Sequence, residues 1–146
     1  MRLNSERIYI RGLEINDLHS LLDLRMRNRE FVQSFEPVTP DSHYTLGGQK
    51  EILEKVKQNW GNDSGYGFGI FLNLNDQLIG RVNLSNVVRG AWQSCTMGYF
   101  LDEKQGSVRV LEKVGFRYDG YSEYYLNING VWEEHNLYSI TQERWA

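Results

Sequence analysis

The residues able to do chemistry are few and scattered. Arg25, Arg27 and Arg29 stand at alternate positions at the end of an apolar-periodic stretch. Such a cluster either contacts an anion or substrate, or is a solvated helix end favoured by the helix dipole. Cys95 has no histidine close in sequence, so no nucleophile pair is indicated, and the role of a small buried apolar residue is expected of it. His19, His43 and His135 are far apart, which argues against a metal site. His135 is either a group that titrates near neutral pH or a strand surface residue. Gly61-Asn-Asp-Ser-Gly-Tyr-Gly67 is rich in glycine, but no Gly-Lys-Ser/Thr follows it. It reads as a turn-rich connector, not a phosphate loop.

The elements that must position these residues follow from periodicity. Arg7 to Arg11 alternates polar and apolar side chains, which predicts a strand. Asn16 and Asp17 start helices well, and Leu18, Leu21, Leu22 and Met26 recur at helical spacing, so a helix is expected to about Asn28. Phe31 to Tyr44 holds both prolines and reads as an ordered loop. Ile52, Leu53, Val56 and Trp60 share one side of a second helix over Thr45–Trp60, whose first turn Gly47 and Gly48 weaken. Strands are expected at Phe68–Leu74, Leu78–Val88 and Ser94–Leu101, with turns at Asn75-Asp76 and Gly90-Ala91. A short helix over Ser107–Val114 ends at Gly115, and a strand opens at Phe116. Tyr124–Ile128 and Trp132–Ile140 flank Asn129-Gly130, a strong signal for a two-residue hairpin with positive φ at both turn residues. The order is β-α-α-β-β-β-α-β-β. That predicts an α+β fold, a mixed α/β sandwich with a mostly antiparallel sheet. Met97–Leu101 and the strand from Phe116 are expected in one sheet, with the 107–114 helix against it.

Composition narrows the class. The chain has 146 residues, enough for a single domain. Its net charge of −3 excludes the basic face of a general nucleic-acid binder. Charged residues at 24% and apolar residues at 40% belong to a globular chain, and the apolar runs are too short for a membrane helix. One cysteine cannot form an internal disulfide or a multi-cysteine zinc site. Without an apolar leader at Met1–Arg7, the expected compartment is the cytoplasm.

Four segments, in order, resemble a known family. Leu78-Ile-Gly-Arg-Val-Asn-Leu84 is similar to the central strand of the GNAT acetyltransferase superfamily, and Met97-Gly-Tyr-Phe-Leu-Asp-Glu103 to its cofactor strand. Ser107-Val-Arg-Val-Leu-Glu-Lys-Val-Gly-Phe116 resembles its fourth-helix motif. Tyr125 to His135, ending in Asn-Leu-Tyr138, resembles the closing hairpin of the ribosomal-protein alanine/serine N-terminal acetyltransferases. The resemblance implies a GNAT acyl-CoA N-acyltransferase fold. It implies acetyl-CoA as cosubstrate, no metal, and a protein N-terminus or a small amine as acceptor.

The chain departs from that pattern at one place. In the family a glycine-rich loop, a long helix and a parallel strand follow the cofactor strand. Here Leu101-Asp-Glu-Lys-Gln105 runs straight into Gly106-Ser107. A strand–helix–strand unit needs about 30 residues, so it is missing between Gln105 and Gly106. Either the chain is a deletion variant, or a segment of a longer parent protein is absent from it. A sheet that has lost its parallel neighbour exposes an edge, which two copies could cover by exchanging elements. A homodimer, domain-swapped or not, is the expectation.

Acetyl transfer needs a held thioester, a polarised carbonyl and a neutral amine. By resemblance, Met97, Gly98, Tyr99, Phe100 and Leu101 hold the cofactor arm along their backbone. Gly98 either allows close approach or marks a bulge or packing against an aromatic. Ser107 is either the acid that protonates the leaving thiolate or a helix N-cap. The tyrosine that some members place four residues further on is replaced by Leu111, so that acid is absent. Arg109 and Lys113 lie beside the cofactor or are solvated helix residues. Glu36, Glu103 and Glu134 are candidates for the general base, because a carboxyl raised by burial can take an ammonium proton. Glu103 is placed with Ser107 in the catalytic set. Asn86, Arg89 and Trp92, with Glu36 and Glu134, are placed on the acceptor side; packing is the plain alternative for Trp92. The rival to an active enzyme is a remnant that has lost cofactor binding and serves as a binding or oligomerising module.

Overall fold

The computed structural model describes residues 1–33, 40–102, 117–128 and 131–139. These fall into two compact units, one of residues 1–29 and 40–102, the other of 30–33, 117–128 and 131–139.

The first unit is a five-stranded antiparallel sheet in sequence order: β1 (Arg2–Asn4), β2 (Ile8–Gly12), β3 (Tyr66–Leu72), β4 (Leu78–Val88) and β5 (Ser94–Leu101). Two helices, α1 (Leu18–Arg27) and α3 (Leu46–Gly61), come between β2 and β3, with the short α2 (Arg29–Gln33) between them in sequence. A 3-10 turn over Ile15–Asp17 leads into α1, and Glu14 and Asp17 close it as a capping box. Asp17 also takes both ends of the Arg11 guanidinium at 2.8 Å, so its carboxylate fixes strand to helix. The helix-starting residue thus serves one turn earlier than its type predicts. Thr45 caps α3 by accepting the Gly48 N–H.

Gly48 is needed for packing. A Cβ there would stand 1.8 Å from the Ser42 carbonyl oxygen, in the 3-10 turn over Asp41–Tyr44. Leu21 and Leu24 of α1, Leu53 of α3, Tyr9, Phe71 and Leu78 form the core, with Leu13, Leu18 and Phe100 against it. Tyr9 and Phe71 stack at 5.1 Å across the β2–β3 pair.

The second unit is described through its hairpin. β6 (Arg117–Ile128) and β7 (Val131–Ser139) pair antiparallel, with Ile128 opposite Val131. Two residues therefore connect them, as the Asn129-Gly130 signal predicts. Those two residues, and so their φ angles, lie outside the described residues.

Several expectations need correction. β6 and β7 form a two-stranded sheet of their own, so the strand after Phe116 does not share a sheet with Met97–Leu101. Among the described residues the hydrogen-bonded ladder of the first sheet ends at β5. The loop expected over 31–44 contains the end of α2 and a 3-10 turn. β1 is too short to give a periodic signal: Arg2-Leu3-Asn4 alternates over three residues only, and all three are exposed. Cys95, expected to be buried, is exposed. The 107–114 helix lies outside the described residues.

Candidate active site

β5 is the last strand of its sheet, and β4 is its only strand partner among the described residues. Its register on β4 runs Gly80↔Leu101, Arg81↔Phe100, Val82↔Tyr99, Asn83↔Gly98 and Leu84↔Met97. The Asp102 N–H donates to the Ile79 carbonyl at 2.7 Å. In an antiparallel ladder the bonding direction alternates residue by residue. Asp102, Phe100 and Gly98 therefore turn their main-chain groups toward β4. Met97, Tyr99 and Leu101 turn theirs outward, along the sheet's edge. The position of the Phe100 carbonyl agrees, since a Cβ on Gly80 would lie 2.5 Å from it. This edge carries no charged residue and no proline, so nothing in β5 itself blocks an extended partner.

Gly98 is exposed and stays in regular register with Asn83. No described atom lies within 4 Å of where its Cβ would be. The bulge alternative for Gly98 is thus not realised in its pairing with β4, and among the described residues no aromatic ring packs against it. The register shift is in β4 instead, between Ser85 and Val88, where Asn86 takes a φ of 50°. Asn86 Nδ2 reaches Thr96 Oγ1 at 3.4 Å across the hairpin. Asparagine tolerates this left-handed backbone better than most side chains do.

The β4–β5 turn brings Asn86, Arg89 and Trp92 to one end of the hairpin. Trp92 is 79% exposed, which rules out its alternative role in packing. Arg89 grips Asp63 through two bonds of 2.5 and 2.9 Å. Tyr66 donates its hydroxyl to the same carboxylate. Donation by Arg89 first, and by Tyr66 second, holds the Asp63 carboxyl below its ordinary range. The same contacts hold Tyr66 and Arg89 above theirs.

The opposite end is closed by Arg27. Its Nη2 donates to Asp102 Oδ2 at 2.7 Å and to the Leu78 carbonyl at 3.2 Å, and its Nε donates to Asp102 at 3.2 Å. Asp23, one turn back on α1, is also paired with it. Burial pulls the Arg27 guanidinium down, but its bonds to Asp102 and Asp23 outweigh that and leave it above its ordinary value. The anion expected of this arginine cluster is thus supplied from within the fold. Arg29 and Arg25 lie over the Tyr44 ring, at 4.1 and 5.9 Å, and Arg29 pairs with Asp41.

Of the other residues expected at the site, Glu36, Glu103, Ser107, Arg109 and Lys113 lie outside the described residues. Glu134 is placed by its backbone alone, on β7 within the register shift between Ser122 and Leu126. Asp102 and Asp63 escaped the sequence reading. Asp102 pairs with a residue 75 positions away and Asp63 with one 26 away. Only Asp102 had a signal, as the charged residue that ends an apolar strand.

An antiparallel sheet with two helices inserted between its second and third strands is the frame of an acyl-CoA N-acyltransferase. The acetyltransferase (GNAT) domain family matches residues 7–107, and the chain belongs to that family. A probable N-acetyltransferase of Bacillus subtilis, YjcK, is 33% identical over 94% of this chain and 96% of its own length. The ribosomal protein uS5-alanine N-acetyltransferase of Escherichia coli is 28% identical over 100% of this chain and 93% of its own. The fold is also that of Mycobacterium smegmatis RimJ, solved in complex with CoA-disulfide. That likeness has a TM-score of 0.83 at 20% identity and covers 93% of this chain and 82% of that one. The alignment with the E. coli enzyme spans 181 positions, whereas this chain has 146 residues. At least 35 positions of that alignment therefore face no residue here.

Among the described residues no three His, Cys, Asp or Glu side chains gather as metal ligands, and no helix is long and apolar enough to cross a membrane.

Proposed function

We propose that the chain transfers acetyl from acetyl-CoA to a primary amine, with the N-terminal amine of a protein, of the ribosomal-protein-alanine type, as the preferred acceptor and a small amine as the coarser alternative. The observation that carries this is the outer edge of β5, where Met97 and Leu101 direct their N–H groups away from β4. An extended, amide-bearing arm can bond there as an added strand does. An N–H of the same edge is suited to the thioester oxygen as negative charge develops on it. The two curated relatives support the acetyl chemistry, and the CoA-bound neighbour supports the cosubstrate.

In this reading the neutral amine attacks the thioester carbon, the C–S bond breaks, and the leaving thiolate takes a proton. Ser107 is the proposed donor of that proton. Glu103 is the proposed base that strips the ammonium, directly or through water. Met97, Gly98, Tyr99, Phe100 and Leu101 hold the arm, with Arg109 and Lys113 beside it. Glu36, Asn86, Arg89, Trp92 and Glu134 form the acceptor side. Trp92 supplies a large rigid apolar face to a peptide, and Asn86 and Arg89 fix the turn that bears it.

One observation favours a second reading. The alignment positions with no residue in this chain are enough for a strand–helix–strand unit. We place their loss at Gln105–Gly106, where the family pattern puts the helix N-terminus that receives the diphosphate. The chain would then be an impaired enzyme, or a module that binds or oligomerises through β5. Turnover of acetyl-CoA with a peptide beginning in alanine, beside the same peptide with a blocked N-terminus, tests the first reading. Thiol release that needs the free N-terminus supports it. Complete absence of release at saturating acetyl-CoA favours the second.

A further inference from the structure

We infer that Arg27 and Asp102 are positioning residues for the acyl-CoA arm: together they fix the end of β5 against β4 and α1, so that the edge taking the arm is formed before binding. The inference rests on the proposed placement of that arm along β5.

The geometry concentrates three elements on one guanidinium. Arg27 is the last residue of α1. It holds Asp102, which directly follows β5, and the carbonyl of Leu78, the first residue of β4. Asp102 itself extends the ladder by donating to Ile79. Its carboxylate is 7% exposed as part of the residue, so water cannot replace Arg27 there. Beside it, Gly80 lets the Phe100 carbonyl come closer than any side chain would allow. Leu101, the last residue to turn its N–H outward, thus lies between two fixed neighbours, Phe100 and Asp102. At the end of a sheet a strand frays unless something restrains it. An edge strand that frays must be ordered by its ligand, and affinity falls by that ordering. The clamp removes this cost without touching the arm.

The test uses the full chain, isotopically labelled, with acetyl-CoA as the probe. Amide shifts of Met97–Leu101 report binding, and amide exchange reports order. Wild type, Asp102→Asn, Arg27→Lys and the double variant Arg27→Met/Asp102→Asn are compared. Arg27→Lys keeps the charge and loses the fork. The double variant leaves no buried charge unpaired, so it keeps the question open if Asp102→Asn does not fold. The expected result for all three variants is an acetyl-CoA affinity lower by about tenfold. Exchange at Phe100 and Asp102 accelerates by a similar factor, while Ile70 in β3 keeps its protection. The double variant recovers its melting temperature but not its affinity. If affinity returns together with stability, the clamp is structural only and the inference is wrong. If exchange at Phe100 and Asp102 accelerates as expected but acetyl-CoA, at a concentration high enough to shift amides elsewhere in the wild type, leaves every β5 amide unmoved, the placement of the arm has failed, and the inference falls with it.

Discussion

The two ends of the β4–β5 hairpin are each tied by an arginine and an aspartate, and the difference between the ties is burial. At one end the Asp102 side chain is 10% exposed and Arg27 joins it to α1 and to Leu78. At the other, the side chains of Arg89 and Asp63 are 69% and 50% exposed. Water screens the second pair and lets its long side chains move, so it adds little to stability. It can still hold the turn in one orientation. The first pair is shielded on its acidic side, so losing Arg27 leaves the Asp102 carboxylate buried without its guanidinium, whereas losing Asp102 leaves Arg27 with Asp23 and the Leu78 carbonyl. One end of the hairpin therefore serves the fold and the other aims a surface. Trp92 stands at the aimed end, and the outward edge of β5 runs between the two.

The comparison can be broken most forcefully at the buried end. Replacing Arg27 by Met should destabilise the chain by about 3 kcal/mol, as read by urea unfolding. A loss too small to measure would mean that the pair is no better shielded than Arg89–Asp63. A smaller effect is expected close by. Gly80→Val sets a side chain against the Phe100 carbonyl and should cost about 2 kcal/mol, again by urea unfolding. Unchanged stability would show that β5 can shift away from β4 at this point.

At the exposed end, Arg89→Met should leave the melting temperature within error of the wild type while altering the fluorescence of Trp92, whose turn it releases. A large drop in melting temperature would erase the distinction between the ends. The pH dependence sharpens it further. The Asp63 carboxyl is held below its ordinary range by Arg89 and Tyr66. A lowered folded value means that the tie is complete above the ordinary carboxylate range and is lost only as pH falls through that lower value. Trp92 fluorescence should therefore be flat from neutral pH down to the ordinary carboxylate range and change below it. A transition near pH 6 would contradict the assignment.

Much of this hairpin was legible in the sequence, and its ties were not. Leu78–Val88 and Ser94–Leu101 are strands at the boundaries that alternation and the Gly90-Ala91 turn predict. α1 ends within a residue of the expected place, and α3 begins at its Thr45 cap. These are local signals. β1, three exposed residues long, is held by pairing with β2 and has no period to read. The Arg27–Asp102 pair joins residues 75 apart, which spacing cannot foresee. Asn86 in its left-handed backbone was singled out for its place before the turn, not for the register shift that it makes. The separate β6–β7 sheet was missed because alternation marks a strand without naming the strand it pairs with.

The central proposal is that the chain keeps the strand edge for the acyl-CoA arm without the cradle that the family pattern provides for the diphosphate. Calorimetric titration with acetyl-CoA, beside a chain carrying the missing segment between Gln105 and Gly106, tests it most directly. Each charge-assisted hydrogen bond lost from a diphosphate is worth roughly 1.5–3 kcal/mol. Two or three of them weaken binding by about a thousandfold or more. The account predicts that much weaker binding by the chain as it stands, recovered when the segment is restored. Micromolar affinity without the segment would contradict it, and would mean that another group of this chain, such as the 106–108 helix start, has taken over the diphosphate.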